Sequence, residues 1–189
     1  MNDDGRKRFE RVQERRNRQI GGESLKERTA NNVHDAFVGE AKAYQRLLMF
    51  ARKAEGESFA QIAHLFRAVA TAEGVHSRRH FALLESVADT QTNLERAFQT
   101  ESTVNGVHYL RMLQEAEEDG EKAASLIFSQ ARDVEAEHAE LYKKALGHLI
   151  GQRSTEYYVC TVCGHIADGI LPDKCPICGA SSSRFERVR

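Results

Sequence analysis

Two short segments, Glu73-Gly-Val-His76 and Glu135-Ala-Glu-His138, repeat one spacing of a carboxylate and an imidazole. On a helix, positions i and i+3 share a face, so each pair can offer both groups to one cation. A single Glu-x-x-His among 28 acids and 8 histidines would read as a solvated face. Two copies change the reading, because two further acids lie in apolar stripes: Glu40 after Phe37-Val38-Gly39, and Glu101 after Ala97-Phe98. One Glu from each of two helices plus Glu-x-x-His from each of two others is a ligand set by which helical bundles hold two metal ions. Four such carboxylates gathered without cations would repel one another and resist burial. The remaining histidines (His34, His64, His80, His108, His148 and His165) follow no such pattern and read as surface or internally satisfied residues.

The second constellation is the cysteines. Cys160-Thr-Val-Cys163-Gly and Cys175-Pro-Ile-Cys178-Gly place all four cysteines of the chain in one short stretch. A two-residue gap lets both sulfurs of a pair reach one metal, and the following glycine relieves crowding in the turn. Two such knuckles supply a tetrahedral site of four thiolates, suited to zinc or iron. Two disulfides are the weaker reading for two close cysteine pairs in a chain expected to be cytoplasmic.

Four helices must position the carboxylates and imidazoles. The first is expected over residues 29–54, with Phe37, Ala41, Tyr44, Leu48 and Ala51 drawing one apolar stripe. Residues 55–58 break it, with Ser58 as N-cap of the next helix. The second is expected over residues 59–87, on Ile62, Leu65, Phe66, Val69, Val75, Leu83 and Leu84. Residues 89–92 mark a break before a third helix over 93–118, which Asp119-Gly120 stops; a fourth runs over 121–150 and ends at Gly151. Four helices with short turns point to an all-α bundle. The expected organisation is a charged extension over 1–27, the bundle over 28–150, a linker over 151–156 and a cysteine domain with short β structure over 157–189. That last part has too little apolar mass to fold without metal.

The formal net charge of −1 gives no global reason to bind nucleic acid or an anionic membrane. The mixed signs in RKRFERVQERRNRQ favour a solvated tail over a nucleic-acid arm. No apolar run approaches the roughly 20 residues that span a bilayer, so a cytoplasmic location is expected.

The segments FVGEAKAYQRLLMFARKAE, ATAEGVHSRRH, NLERAFQTES and EAEHAELYKKA resemble the four helices of the rubrerythrin family, in that order. YVCTVCGHIADGILPDKCPICGASSSRFERV resembles that family's rubredoxin-like tail. The resemblance implies a ferritin-like di-iron bundle followed by an iron tetrathiolate, which acts as a peroxidase that reduces hydrogen peroxide to water. The tetrathiolate iron would pass electrons to the di-iron pair. By motif position, Glu73 and Glu135 would bridge the irons, Glu40 and Glu101 would be terminal ligands, and His76 and His138 would each bind one iron. Cys160, Cys163, Cys175 and Cys178 would hold the single iron, with zinc as the other metal the cysteines accept.

One position departs from the pattern. The family carries a second acid three residues after the third-helix ligand, and here that residue is Val104, beside Asn105. Valine cannot ligate, so the carboxylate that exchanges with the second-helix histidine is missing, and ferroxidase or oxygen-reducing chemistry becomes the alternative. Leu47 replaces a first-helix tyrosine of the family, and Tyr109 in the third helix is retained. A further alternative is an iron-handling protein with a zinc ribbon for partners.

The ferritin-like arrangement makes helices two and three parallel, with Glu73 and Glu101 at one level. The chain would then climb back about 32 Å, whereas an extended link over residues 87–92 reaches only about 25 Å. The expected assembly is a homodimer that exchanges helix pairs. Each site would mix Glu40, Glu73 and His76 of one chain with Glu101, Glu135 and His138 of the other. Hydrogen peroxide or oxygen is the expected substrate, and an external reductase the electron donor.

Overall fold

The computed structural model describes residues 25–84, 87–151 and 154–188, without the side chains of residues 104–106 and 148–151. The charged extension up to residue 24 and the side chains of Val104 and Asn105 therefore lie outside the described residues. The helices are α1 (Glu27–Gly56), α2 (Ala60–Leu84), α3 (Thr90–Thr103), a π-helical segment (Val104–Tyr109), α4 (Leu110–Glu118) and α5 (Lys122–Gly151). Then come β1 (Tyr157–Cys160), β2 (Ile166–Asp168), a 3₁₀ turn (Ser182–Arg184) and β3 (Phe185–Arg187). The expected third helix is thus one run of α3, the π segment and α4. The chain divides into two compact units, Met1–Val87 and Ala88–Arg189.

In the first unit α1 and α2 pack antiparallel. The Phe37 ring lies tilted 5.5 Å from that of Phe81 and the Phe50 ring edge-on 5.7 Å from that of Phe66, so rising numbers on one helix meet falling numbers on the other. Small residues line the seam: Ala51, Ala54, Ala63, Ala70 and Gly74 are buried. Gly74 is a close approach, since a Cβ there would stand 3.3 Å from the Tyr44 ring.

Only part of the expected stripe of α2 forms this seam: Phe66 meets Phe50 of α1 and Leu84 is buried. Ile62 is 46% and Leu65 56% exposed, and Val69, Val75 and Leu83 are exposed as well. Ala63, Ala70 and Gly74 join Phe66 on the side toward α1, because small side chains allow the two backbones to approach. A second apolar face is left on the same helix.

The turn between α1 and α2 also differs from expectation. Ser58 is no N-cap: its φ is +66°, its N–H donates to the Glu55 carbonyl, and the next N–H, of Phe59, donates to the Ala54 carbonyl. That pair of bonds is the Schellman ending of α1, with serine in the left-handed position usually taken by glycine. The turn between α4 and α5 repeats it, with Gly120 at φ +74°, its N–H on the Glu117 carbonyl and the Glu121 N–H on the Ala116 carbonyl.

In the second unit the third helix starts earlier than its sequence suggests. Asp89 caps it, its Oδ1 accepting from the Thr92 N–H at 2.9 Å. Those hydrogen bonds hold the Asp89 carboxyl below the usual range. The run of α3, π segment and α4 packs against α5, with Ala116, Val134 and Ala139 buried and Tyr109 6.3 Å from Phe128. The cysteine lobe is a three-stranded antiparallel sheet of order β2-β1-β3, with Tyr158 opposite Ala167 on one side and Arg187 on the other. No helix among the described residues is long and apolar enough to cross a membrane.

Candidate metal centres

The predicted metal residues gather in three groups: Glu40, Glu73 and His76; Glu101, Glu135 and His138; and the four cysteines. Within each group the ligand atoms all lie within 4.8 Å of one another. The first group belongs to the first unit and the other two to the second.

In the first group His76 Nδ1 stands 3.1 Å from Glu73 Oε2 and 3.9 Å from Glu40 Oε1. The two acids share the space unequally. A hydrogen bond to Glu73, burial and the Glu73 charge raise the Glu40 carboxyl, whereas the same bond and His76 lower Glu73. In the second group His138 Nδ1 stands 3.0 Å from Glu135 Oε2. Burial raises Glu101, aided by a hydrogen bond and charge from Glu135. The donor set of carboxylates and imidazoles in each group fits iron.

Three features here were missed by reasoning from sequence. His138 Nε2 lies 3.2 Å from the Gly164 carbonyl, the residue after Cys163. The ring nitrogen that donates there leaves Nδ1 as the lone pair for a metal, the usual way a protein fixes a ligand tautomer. No sequence signal joins positions 26 residues apart. Tyr142 stands close enough to Glu101 and Glu135 that their charge, after burial, raises its phenol, as happens at Tyr109. Its place four residues after His138 was a legible signal, since i and i+4 share a face. Gly74, inside the first Glu-x-x-His, admits the Tyr44 ring.

The cysteines are free thiols. Cys160 Sγ lies 3.7 Å from Cys178 Sγ, and Cys163 Sγ 3.6 Å from Cys175 Sγ. A tetrahedron with metal–sulfur distances near 2.3 Å has edges of about 3.8 Å, whereas a disulfide would need about 2.05 Å. The sulfurs therefore fit one ion. Both glycines after the knuckles adopt positive φ, +87° at Gly164 and +73° at Gly179, and donate to the Cys160 and Cys175 carbonyls. Burial works against ionising Cys160, but the N–H groups of Cys163 and Val162 and the adjoining sulfurs bring that thiol down to about 7. Burial and the same crowd drive Cys163 and Cys178 up.

Comparison with known proteins agrees with both metal signatures. Residues 31–146 match the family described as Rubrerythrin, and residues 158–186 its rubredoxin-like domain. Nigerythrin of Nitratidesulfovibrio vulgaris is 29% identical over 174 residues, which cover 83% of this chain and 85% of that protein. The rubrerythrin of Porphyromonas gingivalis is 30% identical over 181 residues, covering 86% and 90%. Solved structures of nigerythrin resemble the chain at 27% identity, with TM-scores of 0.53 and 0.54 over about nine-tenths of each chain.

Proposed function

The chain belongs to the rubrerythrin family, and from that premise we propose that it reduces hydrogen peroxide to water at a di-iron centre supplied with electrons through its tetracysteine iron. The balance is one peroxide, two electrons and two protons giving two waters, with the electrons from an external reductase. The iron ions would supply the redox chemistry, held by Glu40, Glu73, His76, Glu101, Glu135 and His138 and by the four cysteines. Nigerythrin is known in mixed-valence, partially reduced and all-ferrous states, and the same cycling is proposed here.

The observation that carries this reading is the bond between His138 Nε2 and the Gly164 carbonyl. It joins a carboxylate-site imidazole to the backbone beside Cys163, a covalent and hydrogen-bonded route between two groups of metal ligands. Tyr109 and Tyr142, with phenols raised by burial and by the carboxylates, keep their protons at neutral pH and can donate hydrogen bonds beside the centre.

The test is to load the protein with iron, reduce it fully and mix it separately with peroxide and with oxygen. Peroxidase function requires faster oxidation by peroxide, followed by reoxidation of the coloured thiolate centre. Faster oxidation by oxygen would favour the oxidase or ferroxidase reading that Val104 suggests. A colourless protein with zinc at the cysteines would remove the relay and leave an iron-handling protein.

The two groups of three acids and imidazoles are proposed to meet between chains. Glu73 lies eleven residues before the end of α2 at Leu84, and Glu101 eleven after the start of α3 at Thr90. With the two helices parallel, as in ferritin-like bundles, the chain would have to climb about 33 Å. Six steps of extended chain reach only about 21 Å. A homodimer exchanging helix pairs removes the conflict. The exposed apolar face of α2, with Ile62, Leu65 and Val69, is what the partner's helices would cover. Pairing a Glu73→Ala chain with a Glu135→Ala chain tests this. In the exchanged dimer one of the two sites is intact and binds two irons; in a bundle closed within each chain both sites stay broken.

A further inference from the structure

The cysteine lobe meets α5 along a narrow strip. On the helix side are Val134, which is buried, Glu137 and His138; on the lobe side are Gly164 and His165. A cleft of about 590 Å³ opens beside that strip, with Glu140 and Lys144 on the helix and Asp168 and Pro172 on the lobe among its walls. Much of the seam is therefore open rather than packed, and apolar burial alone is a weak hold. Two polar bonds bridge it. Consecutive helix residues, Glu137 and His138, grip consecutive knuckle residues, His165 and Gly164.

His165 is built to be one jaw of that grip. It is 8% exposed, its carbonyl accepts the Cys160 N–H at 2.9 Å, and its ring lies edge-on to Phe185 at 6.1 Å. Its Nδ1 donates to the Glu137 carboxylate. A hydrogen bond with an ionised acceptor in a half-buried place is about twice as strong as a neutral one. Glu137 neighbours His138 in sequence but is not a member of the metal-binding group.

We propose that Glu137 and His165 are a positioning pair that clamps the cysteine lobe on α5 and so keeps the Gly164 carbonyl on His138. The clamp rests on the electron-relay reading for its purpose, but not for its existence. When it opens, the bond that orients His138 opens with it, and the short route from the Cys163 knuckle to the carboxylate centre is broken.

The test uses the full-length, iron-loaded protein and two variants. Glu137→Ala removes the acceptor from a side chain on the helix surface. His165→Phe removes the donor and keeps a ring against Phe185. Both should retain the visible spectrum of the thiolate iron, which reports a folded lobe. Limited proteolysis should release the lobe on the order of ten-fold faster in each, the scale of losing one charge-assisted hydrogen bond, and Glu137→Gln, which keeps an acceptor oxygen, should recover part of it. After one addition of peroxide to the reduced protein, the carboxylate centre should still oxidise, since its six ligand side chains are all kept. Reoxidation of the thiolate centre should slow by a similar factor. Unchanged lobe release in both Glu137→Ala and His165→Phe overturns the clamp. If the wild-type thiolate centre never reoxidises through the other iron site, the relay reading fails, and lobe release alone decides the clamp.

Discussion

The two carboxylate–histidine groups use the same residues at the same spacing, yet they are not equally finished. The His76 side chain is 51% exposed and that of His138 20%. His138 has its second ring nitrogen fixed by Gly164; among the described residues His76 Nε2 has no such partner. The group on α5 is oriented by the cysteine lobe of its own unit, whereas the imidazole on α2 stays half open to solvent. A repeated ligand motif thus specifies which atoms face a metal, and the surroundings decide how firmly they are held.

The strongest way to break this contrast is to remove the lobe's metal. Cys175→Ser should abolish the thiolate–iron absorption and unfold the lobe, since metal binding supplies on the order of 10 kcal/mol to such small domains. His138 would then be as loosely held as His76. Visible spectra and iron content of each centre check this; retention of the colour would refute it.

Two glycine substitutions strike the groups one at a time. Gly74→Val should cost about 1–3 kcal/mol by forcing α1 and α2 apart at the Tyr44 contact, with iron affinity falling through Glu73 and His76. Gly164→Ala should cost roughly 1–2 kcal/mol, because alanine resists the left-handed backbone found there at φ +87°. Its effect should appear at the thiolate centre and at His138. Denaturation midpoints and metal titrations of the two variants should separate accordingly.

A smaller effect should come from the turns. Ser58 and Gly120 hold the same position in two Schellman endings, so Ser58→Gly should stabilise by about 0.5–1 kcal/mol and Gly120→Ser should destabilise by about as much. Urea unfolding of both variants measures it.

The smallest expected change is with pH in the metal-free protein. Glu101 is raised in the folded state, so the native chain binds its proton more readily than the unfolded chain does. Stability from this group falls as pH rises from the usual carboxylate range through the raised value, and is recovered on acidification. Glu40 and Glu73 shift in opposite directions and so act with opposite sign. Glu101 is partly open to water, which limits the effect. Metal-free protein should melt slightly higher near pH 5 than near pH 7, and Glu101→Gln should remove the difference.

The candidate ligands were legible in the sequence because chemistry restricts them. Few residue types bind iron, and the intervals of three between Glu73 and His76 and of two residues between Cys160 and Cys163 survive folding as short distances. The four helices were legible for a similar reason, since a proline-free stretch with apolar periodicity has few other folds open to it. The packing face of α2 was not. Ile62, Leu65 and Val69 look more like a core than Ala63, Ala70 and Gly74 do, but the small residues let backbones meet and the large ones need a further layer. Ser58 misled because serine before a helix usually caps it, whereas here the preceding helix had to be closed first. The links from His138 to Gly164 and from Glu137 to His165 depend on how a lobe docks, which local pattern does not encode.

The π-helical segment at Val104–Tyr109 has one more consequence. From Ser58 to Glu73, and from Gly120 to Glu135, the interval is fifteen residues in both halves. From Glu40 to Ser58 it is eighteen, but from Glu101 to Gly120 it is nineteen. The second hairpin is one residue too long to mirror the first, and a π turn is how a helix swallows a single inserted residue. The bulge therefore acts as a rotational correction, turning Glu101 back toward Glu135 after an insertion that would otherwise have swung it about 100° aside.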